Sequence, residues 1–282
     1  MKKFKKSIGH ITINIIIDTE LFDIEYKAFN AFFSSFIYCG EYIPQKYVIE
    51  DKEFFYYILT NNNNNKINNN CFLLNKTNNK WMFELMKKLA KFYSSILECT
   101  VLHCSCVRIE NKNILFMGAR RSGKTTMTHY LTINKNGIYL DDDSIYIEKD
   151  RYIGFNMPLP MRMCRVKDLN IDKFFVGQTI DTDGILRTLY MPPKRIDCLC
   201  PIDAIVFPKY GRDKLNRIEK ISKAEAFKNI INNVSSYAEM KTMFLDVKKL
   251  ALNSDCYEME YSSSESAYKL LLDQVLNYES NY

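Results

Sequence analysis

The stretch Gly118-Ala119-Arg120-Arg121-Ser122-Gly123-Lys124-Thr125 restricts the fold of this 282-residue chain more than any other. It fits the pattern G-x-x-x-x-G-K-[ST], with the apolar run Ile114 to Met117 before it and a helix-forming stretch, Lys124 to Ile133, after it. Its glycines let the backbone turn so that N–H groups point inward on phosphate oxygens, at the positive end of the following helix. The pattern has few fixed positions, and its setting between a strand and a helix is what gives it weight. Residues Gly118, Ala119, Arg120, Arg121, Ser122, Gly123, Lys124, Thr125 and Thr126 are therefore the candidates for binding a nucleoside triphosphate. Lys124 is expected on the β and γ phosphates, with the Thr125 hydroxyl on Mg²⁺.

The residues on either side extend the site. Val101 to Ile109, the polar turn Glu110-Asn111-Lys112-Asn113 and Ile114 to Met117 read as a β-hairpin. Antiparallel pairing then sets His103, at the start of the first strand, beside Gly118, at the end of the second. After the helix come the turn Asn134-Lys135-Asn136-Gly137, a short strand Ile138-Tyr139-Leu140 and the triplet Asp141-Asp142-Asp143. A right-handed strand-helix-strand crossover makes that strand parallel to Ile114 to Met117, so the aspartates emerge at the edge of the sheet that carries the glycine loop. Such a triplet can be a solvated turn, but beside a phosphate loop it is placed to attract a metal ion. His10 and His129 have no comparable setting and read as structural or surface residues.

Composition narrows the function classes. The net charge of +6 comes from scattered Lys and Arg, apart from Lys2-Lys3-Phe4-Lys5-Lys6, so no nucleic-acid-binding stripe stands out. The run Ile11 to Ile17 is too short and too interrupted for a signal sequence, and no stretch approaches the roughly 20 apolar residues of a membrane span. A soluble, cytoplasmic protein is the expectation, with no membrane or nucleic-acid partner. Nine cysteines, an odd number, read as reduced thiols. The pairs Cys104/Cys106 and Cys198/Cys200 have strand spacing and read as core filling, not as a zinc site.

Around these landmarks the chain divides into a strand-rich N-terminal region, residues 1 to 80, and a nucleotide-binding domain, residues 81 to 282. The first region includes strands at Ile11 to Ile17 and Phe54 to Leu59, and an asparagine-rich tract, Asn61 to Asn70, that reads as a mobile surface loop. It is a candidate for substrate recognition. An amphipathic helix is expected over Trp81 to Leu97. Beyond Asp150 the clearest expectations are a strand at Ile202 to Phe207, a helix capped by Ser222 with Glu225, a strand near Cys256 to Tyr261 and a helix near Glu265 to Leu276.

His103, the glycine loop and Asp141-Asp142 together resemble the HPr kinase/phosphorylase family. His103 stands fifteen residues before Gly118, and the two aspartates stand twenty-three and twenty-four after it. The resemblance implies an α/β fold with a PEP-carboxykinase-like P-loop core and a mixed sheet. It implies an ATP- and Mg²⁺-dependent kinase that transfers the γ phosphate to a hydroxyl, most simply serine of a peptide or small protein. In that scheme Asp141 takes the hydroxyl proton, His103 is hydrogen-bonded to Asp141, Lys124 assists transfer, and Asp142 joins Thr125 on the metal. Arg120, Arg121 and Thr126 depart from the family's loop, which weighs against HPr as the acceptor. Arg162, Arg165, Lys194 and Arg195 are further candidates to stabilise the transferred phosphate. A regulatory module that only binds ATP, an ATPase acting on water and a kinase of a small alcohol use the same residues, and a homo-oligomer is compatible with all of them.

Overall fold

The fold is described from a computed structural model over residues 2–8, 11–17, 37–41, 54–60, 71–75, 99–148, 151–154, 157–162, 175–180, 185–196, 198–199 and 201–276. Two compact units are present, one of Met1–Lys88 with Val176–Leu189, the other of Leu89–Phe175 with Tyr190–Tyr282. The helix expected over Trp81 to Leu97 and the asparagine tract fall outside the described residues.

In the first unit β1 (Lys2–Ile8) and β2 (Ile11–Ile17) pair antiparallel, with Phe4 opposite Ile15. β3 (Ile37–Glu41) flanks β1, while β4 (Phe54–Thr60) lies parallel to β2 and β5 (Cys71–Asn75) parallel to β4. The sheet order is β3-β1-β2-β4-β5. The apolar runs expected as strands are β2 and β4.

The second unit opens with β6 (Thr100–Leu102), β7 (Cys104–Ile109) and β8 (Lys112–Met117), followed by α1 (Lys124–Asn134) and β9 (Ile138–Asp141). Next come β10 (Ile145–Glu148), β11 (Arg151–Ile153) and β12 (Leu159–Arg162), after which β13 (Phe175–Ile180) and β14 (Leu186–Tyr190) belong, but for Phe175 and Tyr190, to the first unit. The chain continues through β15 (Cys198–Leu199), β16 (Ala204–Tyr210), β17 (Arg217–Lys220), α2 (Lys223–Ile231) and β18 (Val234–Tyr237). It closes with α3 (Met240–Asn253), β19 (Asp255–Tyr261) and α4 (Ser264–Gln274). The result is a mixed α/β fold.

Its main sheet runs β17-β19-β16-β8-β7-β9. β16 is parallel to both β8 and β19, and β8 and β9 each lie antiparallel to β7 between them, so β9 runs in the direction of β8. Alternate residues of each strand serve opposite faces. Leu115 and Met117 of β8, Ile205 and Phe207 of β16, and Cys104 and Cys106 of β7 pack with Ala226, Ile230, Val247 and Leu250 of α2 and α3. Ile114, Phe116, Val206, Met259 and Tyr261 pack on the other side with Met127 and Leu131 of α1 and Ala267 and Leu271 of α4. A strand covered on both faces reads as a continuous apolar run, which is why Ile114 to Met117 shows no alternation in sequence. The two β7 cysteines are reduced and fully buried in this packing.

A second sheet, β15-β11-β10-β6-β18, adds Leu102, Ile145 and Ile147 to the core on the α2 and α3 side. The strand expected over Val101 to Ile109 is therefore two strands. The chain leaves the second sheet at the end of β6 and enters the main sheet at Cys104, with His103 at the crossing. Asp142, Asp143 and Ser144 make the reverse crossing, from β9 to β10, whose Ile145 pairs with Leu102.

His129 of α1 is fully buried against the edge of the Tyr190 ring, and neither ring nitrogen has a hydrogen-bond partner. Burial lowers its pKa from 6.5 to about 4, because an apolar surrounding disfavours the imidazolium. The unfolded chain therefore gains a proton below pH 6.5 that the folded chain refuses, and stability present above that pH is lost as pH falls toward 4. The loss from this residue reaches about 3 kcal/mol. Chemical denaturation of His129→Phe at a series of pH values should show a shallower decline over that window than wild type.

Candidate functional site

At the C-terminal end of β8 the backbone turns through Gly118 (φ 151°), Arg121 (φ 69°) and Gly123 (φ 109°) before α1 begins at Lys124. The turn is braced from within by Ser122 N–H donating to Ala119 O at 3.2 Å, and from the neighbouring strand end by Tyr210 N–H donating to Ser122 O at 3.0 Å. Tyr261, the last residue of β19, donates its hydroxyl to Gly123 O at 3.3 Å. A Cβ on Gly123 would lie 1.9 Å from that hydroxyl oxygen, so glycine is required there for space as well as for its left-handed backbone. β16 pairs with β8 only through Val206, so Pro208, with no N–H to donate, stands where β8 has already turned away into the loop.

Gly123 is also the N-cap of α1, and no side chain accepts from the first-turn N–H groups. The positive end of the helix is left for an anion. Lys124 lies across the loop, its Nζ donating to Gly118 O at 2.6 Å and Ala119 O at 3.2 Å. Its pKa is lowered, chiefly by burial, against the opposing pull of Asp142 and Asp143. Arg120 and Arg121 are exposed.

The aspartates emerge at this same edge. Thr125 Oγ1 donates to Asp142 Oδ2 at 2.9 Å, and the Asp142 carboxyl is 5% exposed. Its pKa rises to about 6, first because burial disfavours the carboxylate and then because Asp143 repels it; the Thr125 hydrogen bond, Lys124 and His103 act in the opposite direction. Asp143 has the left-handed φ of 84°, an uncommon conformation for aspartate of the kind that collects at functional sites. Its side chain is 53% exposed, and its Oδ1 lies 2.9 Å from His103 Nδ1, which is 3.2 Å from the Asp143 carbonyl oxygen as well. The hydrogen bond to Asp143 is the main reason that the His103 pKa is raised.

The pairing differs from the expected one. His103 meets Asp143, not Asp141. Asp141 is the last residue of β9, and its carboxyl, 1% exposed, turns back on the chain: Oδ1 accepts from Asp142 N–H at 2.9 Å and Met157 N–H at 3.0 Å, with the Tyr139 hydroxyl at 3.4 Å. The packing leaves no room around it, since a Cβ on Gly154 would come within 2.8 Å of Asp141 Cβ. Asp141 fastens Met157 to the end of β9, while Asp143, two residues past the strand, is free of the pleat and reaches the imidazole.

Lys194 and Arg195 are exposed and lie along β9, Tyr139 N–H donating to Lys194 O at 2.9 Å. The Arg162 side chain and all of Arg165 lie outside the described residues. Among the described residues no group of three or more His, Cys, Asp and Glu side chains is arranged to hold a metal ion by itself. One residue that no motif marks enters the site from the end of α2: Asn233 Oδ1 accepts from Gly118 N–H at 3.1 Å, and Asn233 O accepts from His103 N–H at 2.7 Å. A plain Asn-Asn-Val at a helix end carries no motif, and its partners lie more than a hundred residues away. The bracing tyrosines Tyr210 and Tyr261 were equally invisible.

The His103 pairing is open to a direct measurement. In an NMR titration the imidazole should titrate above 6.5 in wild type and move down in Asp143→Asn, with Asp141→Asn leaving it in place. A His103 titration that follows Asp141 instead would contradict the geometry.

No protein-family model matches the chain, and no curated protein does. Among solved structures the chain is similar to the HPr(Ser) kinase/phosphatase from Coxiella burnetii at 12% identity, over 61% of this chain and 94% of that one, with a TM-score of 0.29. At that TM-score the two chains share too little superposable backbone for the likeness to establish a common fold.

Proposed function

We propose that this chain is an ATP-dependent kinase that passes the γ phosphate to a hydroxyl, most simply serine of a peptide or small protein. The observation that carries the reading is the convergence at one sheet edge of Lys124 across a glycine-flanked turn, the Thr125–Asp142 pair and the His103–Asp143 pair. A phosphate-binding loop alone serves many activities. A carboxylate held by an imidazole beside it is what a proton-accepting group for an attacking hydroxyl requires.

In this reading the backbone N–H groups of the turn beyond Gly118, whose own N–H is held by Asn233, and the Lys124 ammonium bind the triphosphate, with Lys124 leaving its two carbonyl partners for the β and γ oxygens. Thr125 and Asp142 offer a hydroxyl and a carboxylate, hard oxygen donors that suit Mg²⁺, which usually takes one or two protein oxygens and completes its shell with phosphate and water. Bound there, the ion supplies positive charge against the oxygens between which the phosphoryl group passes. Asp143, exposed and two residues past β9, accepts the proton of the acceptor hydroxyl. His103 orients that carboxylate and carries compensating charge when protonated. Arg120 and Arg121, exposed on the loop, suit an acceptor with acidic or phosphate groups.

Purified protein incubated with γ-labelled ATP, Mg²⁺ and a panel of serine peptides and small alcohols tests the reading. Lys124→Ala should weaken ATP binding by tenfold or more. Asp143→Asn should keep ATP affinity within about threefold and lower transfer by about 10²- to 10⁴-fold, the range of general acid–base catalysis. Asp141→Asn should lower the melting temperature before it affects nucleotide affinity. Label released only as inorganic phosphate would identify an ATPase, and ATP binding without turnover would identify a regulatory module.

A further inference from the structure

Asn233 lies two residues past α2, and four hydrogen bonds fix it, one of them its own N–H donating to Ile230 O at 2.8 Å. Its Nδ2 donates to Asn229 O at 2.8 Å, its Oδ1 accepts from Gly118 N–H at 3.1 Å, and its backbone oxygen accepts from His103 N–H at 2.7 Å. The amide orientation follows from its neighbours, because the side facing a carbonyl must be the NH₂ and the side facing an N–H must be the oxygen. A carboxylate cannot satisfy both, and an apolar side chain satisfies neither.

The two N–H groups that Asn233 receives belong to the two halves of the site. Gly118 is the first residue of the turn that Lys124 spans, and His103 is the partner of Asp143. β18 continues directly from Asn233 and pairs with β6, Val234 opposite Leu102, so the backbone there is held by a sheet as well as by a helix. We infer that Asn233 is a positioning residue that sets the distance between the phosphate-binding turn and the His103–Asp143 pair. It touches neither nucleotide nor acceptor. It acts through Gly118 and His103, and the effect follows because a displacement of about 1 Å between reacting groups can cost on the order of a hundredfold in rate while leaving binding nearly intact.

This role rests on the kinase reading, and the experiment separates the two. Asn233→Leu removes both side-chain bonds at similar volume, and Asn233→Asp retains an acceptor for Gly118 but sets a carboxylate against Asn229 O. Where wild type transfers phosphate, both variants should bind Mg·ATP within about threefold of wild type, with kcat lowered about 10- to 100-fold. Unchanged kcat in Asn233→Leu would overturn the inference. So would a parallel loss of ATP affinity and melting temperature, which is the signature of a merely structural residue. Where wild type transfers nothing, the kinase reading fails by itself, and backbone hydrogen exchange decides the positioning claim. Faster exchange at Gly118 and His103 in Asn233→Leu, with the α2 amides unchanged, supports it; unaltered protection at both overturns it.

Discussion

Two adjacent chain segments pass between the two sheets of the larger unit at the same level, and the candidate site exists because of that coincidence. His103 lies where β6 gives way to β7, and Asp143 lies where β9 gives way to β10. The register fixes both crossings, with Cys106 opposite Asp141 in one sheet and Leu102 opposite Ile145 in the other. Residues at such crossings have left one ladder and not yet joined the next, so their side chains are released from the alternation that buries their neighbours. That is the reason a histidine and an aspartate meet at a partly exposed position in an otherwise apolar region. It is also the reason the strained backbone of Asp143 is tolerated: pairing on both sides of it is already determined.

The glycine turn depends on a different kind of restraint. Its backbone is pinned by groups at the ends of β16 and β19, both parallel neighbours in the same sheet, so the order of strands sets the shape of the turn. Parallel neighbours end at a common edge, and each contributes one tyrosine. The Tyr210 and Tyr261 rings lie 5.5 Å apart, and their packing ties the two strand ends together beneath Gly123.

Much of this was legible in the sequence, and the failures have physical causes. The turn, α1, β8, the direction of β9 and the capped start of α2 follow from local chemistry: glycines, an apolar run, a helix pattern, and Ser222, whose side chain accepts from Glu225 N–H in the structure. The break at His103 was not legible, because Thr100 to Ile109 is uniformly suited to strand and nothing local marks a change of sheet. The choice among three successive aspartates was not legible either. It turns on whether β9 ends at Leu140 or Asp141, a one-residue matter that decides which carboxyl stays in the buried pleat. Asn233, Tyr210 and Tyr261 act through contacts that only the tertiary fold creates. Of the expected N-terminal strands, Ile11 to Ile17 and Phe54 to Leu59 correspond to β2 and β4, but no chemistry attaches to them.

The cysteines of β7 have a use beyond filling space. Cys104 directly follows His103, and burial pushes its thiol and that of Cys106 well above the usual range, so neither forms the thiolate that alkylating reagents attack. Cys256, across the sheet on β19, is raised to about 11. These thiols become reactive only when the strands around the site separate, so their rate of modification counts openings of the main sheet beside His103. The protein thus carries a built-in gauge of its own local unfolding, with Cys104 one residue away from His103.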